Sequence, residues 1–220
     1  TNATAELTIG LIIDLLRRMS EGDRIIRKKQ WNEIFGAYDY TGTEISGKTL
    51  GIIGMGRIGK DVSKKAIGLG MKIVYHNRKR ITRNIEKKLN IKFLSFDKLI
   101  KESDIVSIHV PYSKETHRLI NSKILKKMKK TSFLINTSRG KIVDEVALIH
   151  ALQKKEIQGA GIDVFESEPI AKNSSLLKLD NVVLSPHIGS STQETRKKMS
   201  DITAENLLNG LQRKKLVFSV

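Results

Sequence analysis

Seven short apolar runs separated by stretches of helical spacing constrain the fold of this chain more than any other feature of its sequence. The runs are rich in β-branched residues and are apolar on both faces, as buried parallel strands are. They lie at 49–54, 71–75, 91–95, 104–110, 131–137, 159–165 and 181–185. Helical spacing occurs at 57–70, 121–130 and 143–157, and Asp144 is a predicted N-cap of the third helix. This alternation predicts an α/β fold with a doubly wound parallel sheet.

Two apolar helices are predicted outside this alternation. In residues 4–19, apolar side chains lie nearly all round the helix, which favours burial against a second domain or a second copy of the chain. Residues 192–212 form a predicted closing helix whose apolar residues are Met199, Ile202, Leu207, Leu208 and Leu211. One sheet domain should not need both helices, so we expect a further domain.

Composition excludes several classes of function. The net charge is +17, but lysines occur in nearly every polar segment and aromatic residues make up only 5%, so a nucleic-acid partner is not predicted. The most apolar run, 7–16, contains Asp14 and is too short to cross a membrane. Cysteine is absent, which favours a cytoplasmic location. The spacing of histidines and acids predicts no metal site.

A glycine turn follows the first strand and opens a helix. Gly54, Gly56 and Gly59 form the pattern G-x-G-x-x-G. In this context the first glycine permits a tight turn, the second lets a pyrophosphate approach the backbone, and the third lets the helix pack on the strand. The sequence therefore predicts a dinucleotide-binding domain of the Rossmann type.

The second strand ends without the acidic residue that usually holds the adenosine ribose. Asn77 lies 18 residues after Gly59 (77 − 59), and Arg78, Lys79 and Arg80 follow it. An acid at this position would repel a 2′-phosphate, whereas a guanidinium suits one. Three cations in so basic a chain could also be ordinary surface residues. We predict NADP(H) as the cofactor, with NAD(H) as the alternative.

Three later segments supply chemistry at predicted strand ends. Arg139, in "NTSRG", could hold a carboxylate with a bidentate fork. Glu168 and His187 lie 19 residues apart (187 − 168) on consecutive loops. Such a pair can keep an imidazole protonated near neutral pH and orient it for acid–base work. Glu166 competes with Glu168 for this position, but we favour Glu168.

These segments resemble the D-isomer-specific 2-hydroxyacid dehydrogenases. The resemblance covers residues 2–211 and rests on "NATAELTIGLIIDLLRR", "GKTLGIIGMGRIG", "DIVSIHVPYSKETHRLIN", "INTSRGKIVDEVAL", "GIDVFESEP" and "NVVLSPHIGSST" in the order of that family. It implies that Arg139 binds the substrate carboxylate, that His187 exchanges a proton with the substrate oxygen, and that Glu168 orients His187. It also implies cofactor contacts from the backbone around Arg57, Ile58, Val110, Pro111, Thr137 and Gly189, and a contact of Asp163 with the nicotinamide carboxamide. The other predicted cofactor-binding residues are Asn77, Arg78, Lys79 and Thr116.

The resemblance also implies a domain organisation. Residues 1–188 would form the dinucleotide-binding domain, with helix 4–19 at an interdomain or dimer surface. Residues 189–220 would return towards a substrate domain that is mostly absent from the chain. We expect the 220-residue chain alone to bind a dinucleotide without appreciable turnover, and the complete protein to be a homodimer.

The predicted activity is NADPH-dependent reduction of a small 2-oxoacid, because "HNRK" and "PHIGSST" most resemble glyoxylate and hydroxypyruvate reductases. An NAD-dependent phosphoglycerate or D-lactate dehydrogenase is the first alternative. A non-catalytic protein of the same fold that senses dinucleotides is the second.

Overall fold

The computed structural model describes residues 1–31 and 40–218, which form one seven-stranded sheet with helices on both faces. The strands are β1 Thr49–Ile53, β2 Lys72–His76, β3 Ile91–Phe93, β4 Ile105–Ile108, β5 Phe133–Asn136, β6 Gly159–Ile162 and β7 Val182–Leu184. Their order is β3-β2-β1-β4-β5-β6-β7, and every neighbouring pair is parallel. All seven predicted strands are confirmed, and so is the doubly wound α/β class.

Eight α-helices lie in the described ranges. They are α1 Asn2–Arg17, α2 Met19–Arg27, α3 Arg57–Gly68, α4 Arg83–Leu89, α5 Phe96–Glu102, α6 Ser122–Leu125, α7 Glu145–Gln153 and α8 Gln193–Leu211. The prediction of Asp144 as an N-cap is confirmed, because its Oδ1 accepts a hydrogen bond of 3.1 Å from the N–H of Ala147. Helices α2, α4 and α5 were not predicted.

The prediction of a helix over 121–130 is wrong for its second half. Helix α6 ends at Leu125. The N–H of Lys126 still bonds to the carbonyl of Ser122, four residues back, but the N–H groups of Lys127 and Met128 bond to carbonyls three residues back. This tighter winding brings Met128 into the core, where its side chain is 5% exposed. Burial of one apolar side chain therefore outweighs continuation of the α-helix.

Helix α1 packs on the sheet of its own chain. It contacts α3 and the strands β5, β6 and β7. Its buried residues are Ala3, Ala5, Thr8, Ile9, Leu11, Ile12, Leu15 and Leu16. The expectation that one domain cannot cover this helix is wrong, because its large apolar residues are all buried in, or packed against, the core of this domain. The homodimer therefore stays a prediction, and the apolar residues of α1 no longer support it.

Helix α8 has the opposite character, since it has no buried residue. Leu207 is 64% exposed and Leu211 is 75% exposed. The predicted return of 189–220 towards a second domain stays a prediction, and its last two residues lie outside the described ranges.

Residues 1–31 and 40–218 contain neither a membrane-spanning helix nor a cluster of metal ligands. No helix there has the length and apolar content needed to span a membrane. No group of three or more His, Cys, Asp or Glu side chains there could hold a metal ion.

Candidate active site

The glycine turn lies where the order of the strands changes direction, between β1 and its two neighbours β2 and β4. Gly54 has φ +101°, and a Cβ there would lie 2.6 Å from the carbonyl of His109. A Cβ at Gly59 would lie 2.3 Å from the oxygen of Gly54. The turn therefore packs against both the end of β4 and its own helix, and only glycine fits at these two positions.

Gly56 differs from the other two glycines, because a Cβ built there meets nothing within 4 Å. It is the N-cap of α3, whose first residues are Arg57 and Ile58, and no side chain caps this helix end. The first N–H groups of a helix have no partner within the helix and attract anions. Open space in front of uncapped helix N–H groups suits a pyrophosphate, so this part of the chain fits a dinucleotide.

The side chain of Asn77 supports the turn. Its Oδ1 accepts a hydrogen bond of 2.7 Å from the N–H of Met55, which lies between Gly54 and Gly56. Because Met55 donates a hydrogen bond here, the accepting atom of the Asn77 amide must be its oxygen, and the Nδ2 group remains free to donate to a ligand. Asn77 presents N–H groups where an acid would present a second oxygen.

Arg78 and Lys79 follow Asn77 and are both exposed. Arg78 interacts electrostatically with Glu115, which lies in the loop after β4. Hydrogen bonds from the Ser113 hydroxyl and from its own backbone lower the pKa of Glu115, and the charge of Arg78 adds to the lowering. The charges of Arg78 and Glu115 therefore interact across the ends of β2 and β4, which flank β1.

Arg80 is not available to a cofactor in the way the sequence indicated. Its guanidinium makes two hydrogen bonds to Glu86, of 2.8 and 2.7 Å. The buried Tyr75 donates to the same carboxylate at 2.6 Å. Hydrogen bonds from Arg80 and Tyr75 lower the pKa of Glu86 to about 2. The carboxylate of Glu86 therefore offsets the positive potential of Arg80, one of the three cations that follow Asn77.

The loop after β4 covers the other side of the turn. Val110 lies beside Gly54, where an added Cβ would come within 2.9 Å of its Cγ1. The carbonyl of Val110 accepts a hydrogen bond from the Ser138 hydroxyl. The hydroxyl of Thr116 donates to the carbonyl of Pro111 at 2.9 Å and accepts from the N–H of Ser113 at 2.7 Å. Thr116 thus shapes this loop, and Val110 and Pro111 form its base at the crevice.

His187 and Glu168 are in direct contact. The Nδ1 of His187 lies 2.7 Å from Oε2 of Glu168. Glu166, the competing acid, instead pairs with Arg118 at 2.9 Å. In the described part of the chain the Nε2 of His187 makes no hydrogen bond, so this nitrogen is open to a ligand. The pair forms an oriented imidazole with one free ring nitrogen.

Glu168 is held as a carboxylate. Partial burial raises its pKa, but hydrogen bonds from His187 and from the N–H of Phe165 outweigh this effect, and the charge of Arg139 contributes in the same direction. The pKa therefore lies below its ordinary value. A carboxylate that stays ionised can favour and orient an imidazolium beside it.

Arg139 lies close to this pair in the loop after β5. Its side chain is exposed, and in the described residues its one hydrogen bond runs from Nη1 to the carbonyl of Ser138 at 2.6 Å. Asn136 fixes the loop, because its Nδ2 donates to the carbonyl of Arg139 and its Oδ1 accepts from the N–H of Ser138. The other N–H groups of the guanidinium are therefore open to an anionic ligand.

Asp163, Gly189 and Thr137 lie deeper in the crevice. Asp163 is 1% exposed, and both of its carboxylate oxygens already accept hydrogen bonds from the loop after β7, including the N–H of Gly189 at 2.9 Å. Thr137 is buried, and its hydroxyl bonds to the hydroxyl of Thr8 in α1 at 3.0 Å. The fold thus brings α1 to the same edge of the sheet as the predicted site.

Two contributors to this edge were not predicted. Ser185 donates to Asp163 at 2.6 Å, and Arg118 links Glu166 to the start of α7 near Asp144. Ser185 stands inside "LSPHIGSST", but its partner lies 22 residues earlier. Only the pairing of β6 with β7 indicates that the two side chains meet.

Comparison with known proteins agrees with this geometry. Residues 9–189 match the NAD-binding domain of the D-isomer-specific 2-hydroxyacid dehydrogenases. A glyoxylate reductase of Thermofilum pendens is 48% identical over 94% of the chain, and the match spans 61% of that relative. The chain therefore spans about three fifths of the length of the curated relatives that it matches.

Solved structures give the same assignment. A glyoxylate reductase from Paecilomyes thermophila superposes with a TM-score of 0.90 at 37% identity, over 100% of this chain and 65% of that one. D-Lactate dehydrogenase of Aquifex aeolicus, complexed with NAD and lactic acid, gives a TM-score of 0.86 at 32% identity over 96% of this chain and 66% of that one. The glycine turn at the switch in strand order, the pairing of His187 with Glu168 and these matches agree, and the chain belongs to the NAD-binding domain family of the D-isomer-specific 2-hydroxyacid dehydrogenases.

Proposed function

We propose that the complete protein reduces a small 2-oxoacid, such as glyoxylate or hydroxypyruvate, to the corresponding 2-hydroxyacid. The 2.7 Å contact between His187 and Glu168 carries this proposal, because it creates an oriented acid–base group beside a dinucleotide crevice. The similarity to glyoxylate reductases supports the choice of substrate class.

Each of the three charged side chains has a distinct task in this proposal. Arg139 binds the substrate carboxylate with its open N–H groups, which also places the neighbouring carbonyl oxygen near His187. His187 donates the Nε2 proton to that oxygen, while Glu168 accepts from Nδ1 and stabilises the imidazolium before transfer. The nicotinamide, when bound, supplies the hydride for the carbonyl carbon.

We propose NADPH as the preferred reductant. Asn77 offers donors rather than a carboxylate at the end of β2, and the exposed Arg78 is the next residue. Lys79 is exposed nearby and adds positive potential. A 2′-phosphate would therefore meet one guanidinium, one ammonium and an amide, with the carboxylate of Glu115 partly offsetting Arg78.

The activity is tested by steady-state kinetics of the complete protein with glyoxylate, hydroxypyruvate, pyruvate and 3-phosphohydroxypyruvate, each with NADPH and NADH. We expect the highest kcat/KM with glyoxylate or hydroxypyruvate. The highest value with pyruvate or with the phosphorylated acid would instead assign a D-lactate or phosphoglycerate dehydrogenase. Dinucleotide binding without turnover of any of the four acids would refute the enzymatic proposal.

The cofactor is tested separately by dissociation constants of NADPH and NADH, for the unmodified protein and for Arg78→Ala. We expect a preference for NADPH that falls about tenfold in the variant, because one exposed charge-assisted contact contributes about 1.5 kcal/mol. Equal binding of the two dinucleotides by the unmodified protein would leave Arg78 as a surface residue only.

A further inference from the structure

Asp163 holds the chain on both sides of His187. Its Oδ1 accepts hydrogen bonds from the Ser185 hydroxyl at 2.6 Å and from the N–H of Ile188 at 2.8 Å. Its Oδ2 accepts from the N–H of Gly189 at 2.9 Å. We propose that Asp163 is a positioning residue that keeps His187 in contact with Glu168, an inference that rests on the proposed function of this pair.

The backbone of His187 explains why such a restraint is needed. His187 has φ +55°, in the left-handed region that residues other than glycine seldom adopt. Its N–H bonds back to the carbonyl of Ser185 at 3.0 Å, which folds the loop tightly. Hydrogen bonds from Ser185 before His187, and from Ile188 and Gly189 after it, compensate for this unfavourable conformation, and these three converge on the carboxylate of Asp163.

Asp163 is itself rigidly placed. Its N–H bonds to the carbonyl of Asn136 at the end of β5, and its side chain is 1% exposed. A Cβ at Gly189 would lie 3.1 Å from Oδ2, so the loop approaches the carboxylate as closely as a glycine allows. A displacement of this carboxylate would therefore be transmitted to His187.

Only an acid supplies enough acceptors at this position. A carboxylate accepts on both oxygens, whereas an asparagine side chain replaces one oxygen by an NH₂ group. In Asp163→Asn at least one of the three loop donors would face another donor in a buried site, which is unfavourable. The substitution keeps the volume of the side chain and removes part of the restraint.

The family resemblance suggested a different role, a contact of Asp163 with the nicotinamide carboxamide. The two roles predict different defects. A residue that only binds the cofactor changes its dissociation constant, whereas a positioning residue changes turnover through His187. Three donors from the protein take three of about four acceptor positions of the carboxylate, so most of its hydrogen-bonding capacity serves the loop and we expect the second kind of defect.

The test compares Asp163→Asn with Asp104→Asn in the complete enzyme. Asp104 is a matched control, since it also bridges strands, accepting from the N–H of Thr49 at 2.8 Å and from Lys129 at 2.7 Å at the opposite edge of the sheet. We expect Asp163→Asn to lower kcat for glyoxylate about 10- to 100-fold, as a misplaced catalytic group does, with the NADPH dissociation constant changed less than about threefold. Asp104→Asn should change neither quantity.

The pH dependence of kcat gives a second measurement. His187 and Arg139 face Glu168, and the hydrogen bond from His187 helps to keep the pKa of Glu168 low. If His187 moves away, the pKa of Glu168 rises, and the acid limb of the profile moves to higher pH in Asp163→Asn. A general loss of stability would leave this limb unchanged.

A third measurement needs no turnover. The imidazole proton signals of His187, assigned by their loss in His187→Asn, should change in Asp163→Asn, while those of the distant His150 should not. If the unmodified enzyme reduces no 2-oxoacid, the proposed function fails and these signals still test the restraint.

Unchanged kcat and unchanged His187 signals in Asp163→Asn would overturn the inference. So would a dissociation constant for NADPH raised more than about tenfold with unchanged His187 signals, since this is the pattern of a cofactor contact. If Asp163→Asn does not fold, Ser185→Ala removes one of the three hydrogen bonds, and the same outcomes apply with a kcat loss of about three- to tenfold.

Discussion

Replacement of Asn77 by Asp should convert the preference for NADPH into a preference for NADH without loosening the glycine turn. The Oδ1 of Asn77 accepts the N–H of Met55 at 2.7 Å, and a carboxylate can make the same bond. The only chemical change is that the NH₂ group becomes a second, negatively charged oxygen. This oxygen repels a 2′-phosphate and can accept from the ribose hydroxyls of NADH.

The expected loss of NADPH affinity in Asn77→Asp depends on the environment of this side chain, which is half-buried. Two unit charges about 5 Å apart interact by about 1 kcal/mol at the dielectric constant of water and by about 3 kcal/mol at the effective value near a protein surface. A half-buried position lies between these limits, so NADPH should lose about 2 kcal/mol, or about 30-fold in affinity. NADH should gain up to about tenfold from its new hydrogen bonds.

Asn77→Ala is the matched control, because it removes the bond to Met55 and adds no charge. It should weaken NADPH and NADH by a similar factor of about five, the value of one neutral hydrogen bond. Fluorescence titration or calorimetry of the unmodified protein and of both variants with each dinucleotide, at one fixed ionic strength, gives the six dissociation constants. Equal losses of NADPH and NADH affinity in Asn77→Asp would refute the reasoning, since the added charge would then have no influence at the ribose.

In the complete enzyme, His187→Ala should lower kcat by about 10²–10⁴-fold and leave the NADPH dissociation constant nearly unchanged. A loss of less than about tenfold in kcat would argue against His187 as the proton donor. Gly59→Ala would place a Cβ 2.3 Å from the oxygen of Gly54, so we expect a loss of about 1–3 kcal/mol in the free energy of unfolding and weaker dinucleotide binding. Urea unfolding and titration measure the two effects, and an unchanged midpoint would contradict the close packing. Glu86 has its pKa lowered from 4.5 to about 2, so its ionised form stabilises the folded state above pH 4.5 and loses that effect as the pH falls through 2. The difference in Tm between the unmodified protein and Glu86→Gln should therefore shrink over this range, and a constant difference would mean that Arg80 and Tyr75 do not depend on the charge.

The sequence predicts the sheet well because its strands are buried on both faces. Ile52 and Leu134 lie in strands without a solvent side, and such runs can hardly form anything other than buried strands or short helices. The burial of α1 was harder to predict. A helix that is apolar nearly all round fits a second domain or a cleft in its own domain equally well, and only the position of α3 beside the sheet decides between them.

The site was predicted where a residue type and a strand end coincide, as for His187 and Glu168. It was not predictable where a side chain already has a protein partner. In the sequence Arg78 and Arg80 look alike as candidates for phosphate binding. In the structure Arg80 donates to Glu86, which also accepts from the buried Tyr75. Such competition depends on contacts between β2 and α4 that neither segment encodes alone.

The contact of Asn77 with the glycine turn also bears on how this domain can evolve. Codons for asparagine and aspartate differ by one base, and both side chains keep the oxygen that accepts from Met55. On the proposed role of Asn77, a single mutation would exchange one dinucleotide for the other, and the turn would keep its hydrogen bond throughout. The cofactor preference of the protein could then change with the dinucleotide available in the cell, while the fold stays the same.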